Sequence, residues 1–256
     1  MAEVKKELKL AVLIDADNVP YSNIKGMLEE IAKYGTPTTK RIYADWTKPN
    51  ANGWKSVLLE HAITPIQQYS YTTGKNSSDS ALIIDAMDLL YSDKVDGFCI
   101  VSSDSDFTRL AIRLRESGMK VIGIGEKKTP NAFIVSCDRF IYIEVLEGNV
   151  KKKTTKPTST TDSKKSVEKE VNTKIDITTI ELIEATLDAI GDEDGWAFLG
   201  DVGNLIVKKK PEFDPRNYGF TKLTPMLKSL KEIIEIDERE SDKKGIKHVF
   251  VRLKLS

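Results

Sequence analysis

The sequence predicts an α/β domain with a mainly parallel, Rossmann-like sheet, followed by a small α+β domain. Short apolar runs alternate with amphipathic helical segments as far as about residue 147, and two of these runs, Leu8–Ile14 and Phe98–Ser102, lead directly into closely spaced carboxylates. Apolar strands that end in acids are typical of an open parallel sheet with its site at the carboxyl ends of the strands. After residue 176 the pattern changes to three helices and a β-hairpin, which predicts the second domain.

Strands and helices alternate in order through the first domain. We predict strands at Leu8–Ile14, Thr39–Ala44, Ile63–Tyr69, Phe98–Ser102, Met119–Ile124 and Arg139–Glu144, and helices at Pro20–Lys33, Gly53–His61, Asp79–Leu90, Phe107–Arg115 and Pro130–Ser136. Such a series predicts parallel strands joined by right-handed crossovers. In the order 3-2-1-4-5, strands one and four are neighbours, so the acids that follow them converge.

The second domain is predicted at residues 177–256, after a linker at 148–176 that separates it from a first domain at 1–147. The linker is rich in Lys, Thr and Ser and has no aromatic residue, so it cannot bury a core. Helices at Thr178–Ile190, Leu199–Lys209 and Thr221–Leu230, with Pro225 as an alternative start of the third, precede strands at Ile233–Ile236 and Ile246–Leu253. This order predicts a winged helix.

The bulk composition is that of a soluble globular protein. The 256 residues contain 40% hydrophobic side chains, which suits one large domain or two modest ones. No window approaches the ~20 apolar residues of a membrane span and no apolar leader is evident, so we expect a cytoplasmic protein. Cys99 and Cys137 have no CxxC spacing, so we expect reduced thiols and no zinc site.

Positive charge is concentrated in the middle of the chain. The formal net charge is zero, but residues 150–174 contain 8 basic and 3 acidic side chains. This distribution permits a polyanionic partner without requiring one.

Acids gather at the predicted switch point of the sheet. Asp15 follows strand one, Asp104 and Asp106 follow strand four, and Asp79 lies in the first turn of a helix, on its apolar side. Carboxylates that share a pocket repel one another unless a cation neutralises them, and oxygen ligands without His or Cys favour Mg²⁺ or Mn²⁺. Asn18 is placed to orient a carboxylate, a water or a phosphate. Alternatively, Asp79 only stabilises its helix, and Asp106 caps the helix that follows it.

An ordered set of motifs resembles the NYN domain, LabA-like branch, of the PIN-like nucleases. The motifs are IDADN at residues 14–18, GKNSSD at 74–79, IDAMD at 84–88, VSSDSDF at 101–107 and GEKKTP at 125–130. The resemblance covers about residues 8–146 and implies a metal-dependent ribonuclease, which we expect to cut RNA internally. It implies metal-binding and catalytic roles for four acids, with Asn18 supporting them: Asp15, Asp79, Asp104 and Asp106. We also assign Lys75 and Asn76 to RNA binding.

The second domain is similar to the LOTUS domain, also called OST-HTH, over about residues 177–255. The motifs are GW at residues 195–196, LG at 199–200, FDPR at 213–216, YGF at 218–220 and KL at 222–223. The similarity implies binding of single-stranded or structured RNA, and a homo-oligomer is compatible with it. Basic residues are the candidates for phosphate contact: Arg216, Lys222, Lys228, Lys243, Lys244 and Lys247. For the aromatic residues we favour core packing: Trp196, Phe213, Tyr218 and Phe220.

Two other functions stay open. Asp15-x-Asp17 after a strand resembles the nucleophile motif of haloacid dehalogenase-like phosphatases, although Asn18 stands where Thr or Val is usual and no cap domain is evident. The other alternative is a non-catalytic RNA-binding adaptor whose acid pocket is vestigial or holds a structural ion. Asp85 and Asp88 lie off the inward side of their helix, and we interpret them as solvated or flanking charges.

Overall fold

A computed structural model describes residues 7–69, 77–146, 175–240 and 247–254. These residues fall into two compact units, one that ends at residue 146 and one that begins at residue 175, and each has its own hydrophobic core. Nearly all of the predicted linker lies outside the described residues, so the domain boundaries stay predictions. Within the described ranges, no helix combines the length and the apolar character needed to cross a membrane.

A six-stranded parallel sheet forms the centre of the first unit. Its strands are β1 (Lys9–Asp15), β2 (Thr36–Ala44), β3 (Thr64–Gln67), β4 (Gly97–Val101), β5 (Lys120–Gly125) and β6 (Arg139–Tyr142). They lie in the order β3-β2-β1-β4-β5-β6, and every neighbouring pair is parallel. The order reverses between β1 and β4, so the carboxyl ends of these strands form the crevice in which such sheets bind ligands. The predicted α/β class and strand order are confirmed.

Helices cover both faces of this sheet. They are α1 (Ile24–Ile31), α2 (Asn52–Leu58), α3 (Ser77–Tyr91), α4 (Thr108–Glu116) and α5 (Asn131–Ser136), with short 3-10 turns before α1, α2 and α4. The sheet separates two cores, with Leu13 and Phe98 in one and Ile14 and Val101 in the other. Because successive strand residues point to opposite faces, β1 and β4 contribute to both cores, and their buried stretches Leu10–Ile14 and Gly97–Val101 are apolar.

The observed boundaries differ from the predicted ones by a few residues. β2 begins at Thr36 and includes Pro37, where its register with β1 is irregular. β6 ends at Tyr142, whereas we predicted strand as far as Glu144, and residues 143–146 are helical. α3 begins at Ser77, which keeps Asp79 in the first turn as predicted.

The second unit is a small α+β domain. It contains α6 (Ile177–Ile190), α7 (Leu199–Lys209), α8 (Leu223–Ser229) and a three-stranded antiparallel sheet of β7 (Ala197–Phe198), β8 (Ile234–Glu240) and β9 (Lys247–Leu253). The three helices and the hairpin were predicted, whereas the two-residue β7 is too short to show a sequence pattern. α8 begins at Leu223, so neither predicted start is right, and Pro225 lies in its first turn, where its missing N–H costs nothing.

Candidate active site

Three carboxylates meet at the carboxyl end of the first unit's sheet. Asp104 comes shortly after β4, Asp106 lies in the 3-10 turn that follows, and Asp79 is in the first turn of α3. One carboxylate oxygen from each lies within 4.8 Å of the other two. Asp79 is buried, Asp104 is half-buried and Asp106 is exposed, so the cluster extends from the interior to the surface. The structure therefore brings three of the four predicted acids together.

Asp15, the fourth predicted acid, is held by hydrogen bonds beside this cluster. It is only 1% exposed, and its Oδ2 accepts hydrogen bonds from Asn18 Nδ2 at 2.6 Å and from Ser102 Oγ at 2.8 Å. Its Oδ1 accepts from the backbone N–H of Asp17 at 3.2 Å. Burial raises the pKa of Asp15, and the hydrogen bonds from Asn18 and Ser102 oppose that rise. Since an ionised carboxylate has about four lone-pair sites, three donors leave room for roughly one more contact.

The electrostatics of Asp79 connect all four acids. Burial, followed by the negative charges of Asp15, Asp104 and Asp106, raises the pKa of Asp79 from 3.8 to about 6. The four carboxylates are thus close enough to interact, although Asp15 does not share the short oxygen distances of the other three. Such repulsion is relieved by a bound proton or by a cation, and shifts of this kind are common at functional sites.

Asp104 also organises the loop that carries Asp106. Its Oδ1 accepts the backbone N–H of Asp106 at 2.9 Å, which makes Asp104 the N-cap of the turn Ser105–Phe107. The N-cap position of the following helix, α4, is Phe107 and has no side-chain cap hydrogen bond, which argues against the alternative that Asp106 caps this helix. Phe107 is fully buried, with its ring centroid 6.5 Å from that of Phe133, so the turn is anchored in the core directly after the acids.

Two serines that we did not single out from the sequence connect the site to neighbouring strands. Ser102 Oγ donates to Asp15 and accepts the backbone N–H of Asp104 at 3.1 Å, so it links the ends of β1 and β4. Ser103 Oγ accepts the backbone N–H of Glu126 at 2.8 Å, which links β4 to the loop after β5. In the sequence, the signal that could have indicated this role is the position of both serines between an apolar strand and two acids.

Asp85 is not a solvated charge, so of the two sequence interpretations the first is wrong for this residue. Its Oδ2 accepts hydrogen bonds from Arg41 Nη1 and Tyr43 Oη, both at 2.8 Å, which joins α3 to β2. Tyr43 is fully buried, and burial followed by the contact with Asp85 raises the pKa of its hydroxyl. Asp88 on the same helix is exposed, as expected.

The basic residues predicted to contact RNA differ in their surroundings. Arg216 donates to Asp214 through Nε at 3.0 Å and Nη2 at 2.7 Å and is only 18% exposed, which favours a structural role for this side chain. Lys222 is exposed just before α8, whereas Lys228 pairs with Glu238 at 3.1 Å. The remaining predicted contacts in loops lie outside the described residues: Lys75, Asn76, Lys243 and Lys244.

The aromatic residues of the second unit divide into two groups. Phe213 is buried, and Tyr218 and Phe220 pack against the same core, as predicted. Trp196 instead lies against two arginines, with guanidinium carbons 5.3 Å (Arg239) and 4.5 Å (Arg252) from its ring centroid. Core packing was therefore the wrong interpretation for Trp196.

Comparison with known proteins identifies both units. The model of the NYN domain matches residues 9–144, and the model of the OST-HTH/LOTUS domain matches residues 171–246. No curated protein shows a match to the chain. The crystal structure of a protein of unknown function from Vibrio parahaemolyticus is 20% identical, with a TM-score of 0.46, over 55% of this chain and 96% of that chain. The solution NMR structure of an uncharacterized protein from Nitrosomonas europaea is 29% identical, with a TM-score of 0.31, over 39% of this chain and 94% of that chain.

The NYN match extends over more than half of the chain and includes all four acids of the candidate site. Assignment to the LabA-like branch stays a prediction. The chain therefore belongs to the NYN domain family and carries an OST-HTH/LOTUS domain in its second unit.

Proposed function

We propose that this protein is a Mg²⁺- or Mn²⁺-dependent ribonuclease that hydrolyses RNA phosphodiester bonds and binds RNA through its second domain. The observation that carries the proposal is the cluster of Asp79, Asp104 and Asp106, whose carboxylate oxygens lie within 4.8 Å of one another. NYN domains belong to the PIN-like nuclease superfamily and LOTUS domains bind RNA, which supports RNA as the substrate. Internal cleavage and a cytoplasmic location are part of the proposal, and a homo-oligomer is compatible with it.

The side chains of the cluster fit a hard divalent cation. Asp79, Asp104 and Asp106 offer carboxylate oxygens and would hold the ion. Mg²⁺ and Mn²⁺ prefer oxygen ligands, and Mg²⁺ usually binds through one or two carboxylates together with substrate phosphate and water. When bound, such an ion lowers the pKa of water and stabilises negative charge that develops on a phosphate.

Asp15 and its partners would keep this site rigid. Asn18 and Ser102 both donate to Oδ2 of Asp15, so rotation of the carboxylate would break two hydrogen bonds at once. Ser102 also accepts from the backbone of Asp104, which couples the position of one acid to that of the other. We assign Asn18 and Ser102 to positioning, and direct metal binding by Asp15 stays a prediction.

The proposal is tested by incubating labelled structured and unstructured RNAs with the protein in Mg²⁺, Mn²⁺ or EDTA. We expect cleavage with either metal and none in EDTA. Asp79→Asn and Asp104→Asn keep the side-chain shape but remove a charged ligand. Loss of a residue that only supports a metal ligand lowers activity by up to roughly 100-fold, so each of these variants should lower the cleavage rate by more than that. The matched control is Asp88→Asn, which changes an exposed acid on the helix of Asp79 and should keep the wild-type rate. Cleavage in EDTA, or cleavage that survives both variants, would refute the proposal.

The same assay tests the two alternatives. A non-catalytic adaptor would bind RNA and leave it uncut in every metal, and Asp104→Asn would change nothing. A phosphatase of the haloacid dehalogenase type needs Asp15 as an accessible nucleophile. The carboxylate of Asp15 is 1% exposed and already accepts three hydrogen bonds, which argues against that role. Asp17→Asn should abolish a phosphatase and spare a nuclease.

A further inference from the structure

The outer side of the second domain's sheet carries aromatic rings and arginines. In the pairing of β8 with β9, Arg239 lies opposite His248, Asp237 opposite Phe250, and Glu235 opposite Arg252. These positions alternate with residues that belong to the core: Ile234, Ile236, Val249, Val251 and Leu253. Phe198 of β7 pairs with Phe250, and Trp196 directly precedes β7. We call the following set the aromatic–arginine face: Trp196, Phe198, Arg239, His248, Phe250 and Arg252.

The planar groups of this face contact one another in a continuous layer. The guanidinium carbon of Arg239 lies 5.3 Å from the ring centroid of Trp196 and 4.2 Å from that of Phe250. The guanidinium carbon of Arg252 lies 4.5 Å from the ring centroid of Trp196. The ring of Phe198 is 5.6 Å from that of His248 and 5.9 Å from that of Phe250. Rings and guanidinium groups thus hold each other in fixed positions.

This layer is accessible to a ligand. Phe198 is 38% exposed, Arg239 and His248 are exposed, and Trp196, Phe250 and Arg252 are half-buried. Proteins that bind single-stranded RNA stack unpaired bases on aromatic rings and on guanidinium planes, and such contacts tolerate different sequences because every base has a π-face. The aromatic–arginine face contains both kinds of planar group, with guanidinium groups over the rings of Trp196 and Phe250 and with the ring of Phe198 exposed.

The acids on the same side of the sheet hold the arginines in place. Glu235 accepts from Arg252 through Nε and Nη2, both at 2.8 Å, and Asp237 accepts from Arg239 Nε at 2.8 Å. A guanidinium has five N–H donors, which is more than one carboxylate accepts in a paired contact, so the arginines retain donors that complement phosphate or base edges. Because the acids offset the positive charge, we expect stacking to contribute more of the affinity than net charge does.

We propose that the aromatic–arginine face is the surface on which the second domain binds single-stranded RNA, by stacking its bases. This inference rests on the proposed RNA-directed function and specifies the surface that contacts the substrate. RNA is the occupant that the observations favour, because the OST-HTH/LOTUS domain is an RNA-binding domain and the guanidinium groups complement phosphate charge. The proposal differs from the sequence-based assignment, which relied on Arg216 and on lysines in or near the third helix and the β-hairpin.

The test measures RNA binding by the full chain in EDTA, where a metal-dependent nuclease cannot cut. The probe is a fluorescently labelled single-stranded RNA of about 20 nucleotides and mixed sequence, longer than the ~4 to 16 nucleotides that a single small binding domain occupies, and the readout is anisotropy. We expect Trp196→Ala and Phe198→Ala each to raise Kd by about tenfold, the lower part of the range for one stacked base. Arg252→Lys keeps the charge but removes the planar group, so it should raise Kd about fivefold.

Matched controls separate stacking from general loss of rings or charge. Tyr91→Ala removes an exposed aromatic side chain from the first domain, and Lys231→Ala removes an exposed cation from the second. Both should stay within about twofold of wild type, as expected for surface changes away from the contact. Thermal unfolding of each variant shows whether it is folded.

Tryptophan fluorescence provides a direct readout of contact. Of the three tryptophans, Trp46 and Trp54 lie in the first unit and Trp196 in the second. If bases stack on Trp196, RNA should quench the emission of the wild type, and Trp196→Phe should lose most of that quenching. Phenylalanine still offers a ring, so the Kd of this conservative variant should change by less than about threefold.

The inference fails if every face variant binds RNA like the wild type, and a loss in Lys222→Ala would then assign RNA to the helical side. It also fails if the wild type does not bind RNA, which would leave a protein as the partner of this surface. Cleavage with Mn²⁺ is measured in parallel. If RNA is cleaved with Mn²⁺ but the face variants bind RNA like the wild type, only this inference is refuted. If the face binds RNA but no RNA is cleaved, only the ribonuclease proposal is refuted.

Discussion

Asp79→Asn should stabilise the metal-free first domain at neutral and alkaline pH. Asp79 is 7% exposed, and the pKa of its carboxyl group is raised from 3.8 to about 6 by burial and then by Asp15, Asp104 and Asp106. Between about pH 4 and pH 6, Asp79 keeps its proton in the folded protein but has lost it in the unfolded chain. The free energy of unfolding therefore falls as the pH rises from about 4 to 6 and stays low above that range. Asparagine cannot ionise and avoids this loss.

The size of the effect follows from the shift in pKa. A rise of about two pKa units, at about 1.4 kcal/mol each, corresponds to about 3 kcal/mol. We therefore expect the free energy of unfolding of Asp79→Asn to exceed that of the wild type by up to about 3 kcal/mol near pH 8 and by much less near pH 4. For a domain of this size, such a difference would raise Tm by roughly 6 to 12 °C.

The assay is urea unfolding in EDTA at several values between about pH 4 and pH 8, for the wild type, Asp79→Asn and Asp88→Asn. Asp88 is exposed on the same helix, so its variant should stay within about 0.5 kcal/mol of wild type. Saturating Mn²⁺ should stabilise the wild type and not Asp79→Asn, because a ligand that binds the folded state alone adds to its stability. An Asp79→Asn protein that is less stable than wild type near pH 8 in EDTA would refute the reasoning.

Three further substitutions test the contacts around the acids. Ser102→Ala leaves buried Asp15 without one donor, so it should lower the free energy of unfolding by about 2 kcal/mol and, in steady-state RNA cleavage, reduce kcat with little change in KM. Asp85→Asn weakens the link to buried Tyr43 and should lower the free energy of unfolding by about 1 to 2 kcal/mol in urea titrations. Asp17→Asn keeps the backbone N–H that contacts Asp15, so metal-dependent cleavage should stay within about threefold of wild type.

The sheet and the acids at its edge could be predicted because their signals are local. A central strand of a parallel sheet is buried on both faces, so residues Leu10–Ile14 form a continuous apolar run, and the next residue is the acid at its end. The inward orientation of Asp79 followed from its helical spacing with Ile83, Ala86 and Leu90. Ala86, Leu90 and Asp79 itself are buried, whereas Ile83 is half-buried. That Asp15 and Asp104 lie near each other followed from the strand order, because they come at the ends of the neighbouring strands β1 and β4.

Side-chain partners that are distant in sequence could not be predicted in the same way. Asp85 and Tyr43 are 42 residues apart, and Ser102 and Asp15 are 87 residues apart. Each pair forms only after two separate elements have packed, and the sequence around one residue of a pair does not indicate which residue is its partner. The surroundings of Trp196 depend on β7, whose two residues pair with β9 more than fifty positions later. An aromatic residue beside a turn gave no indication of that pairing.

The consecutive serines after β4 explain how one short loop can position acids from separate elements. After β4 the backbone N–H of Ser102 still donates to the carbonyl of Ile124, and beyond that bond the loop needs side-chain partners to have a defined conformation. Ser102 provides one through Asp15 at the end of β1, and Ser103 provides another through the backbone of Glu126 after β5. The loop is therefore held from both neighbouring strands before it reaches Asp104. An alanine at either position would leave the acid in the chain but remove a constraint on where its carboxylate lies.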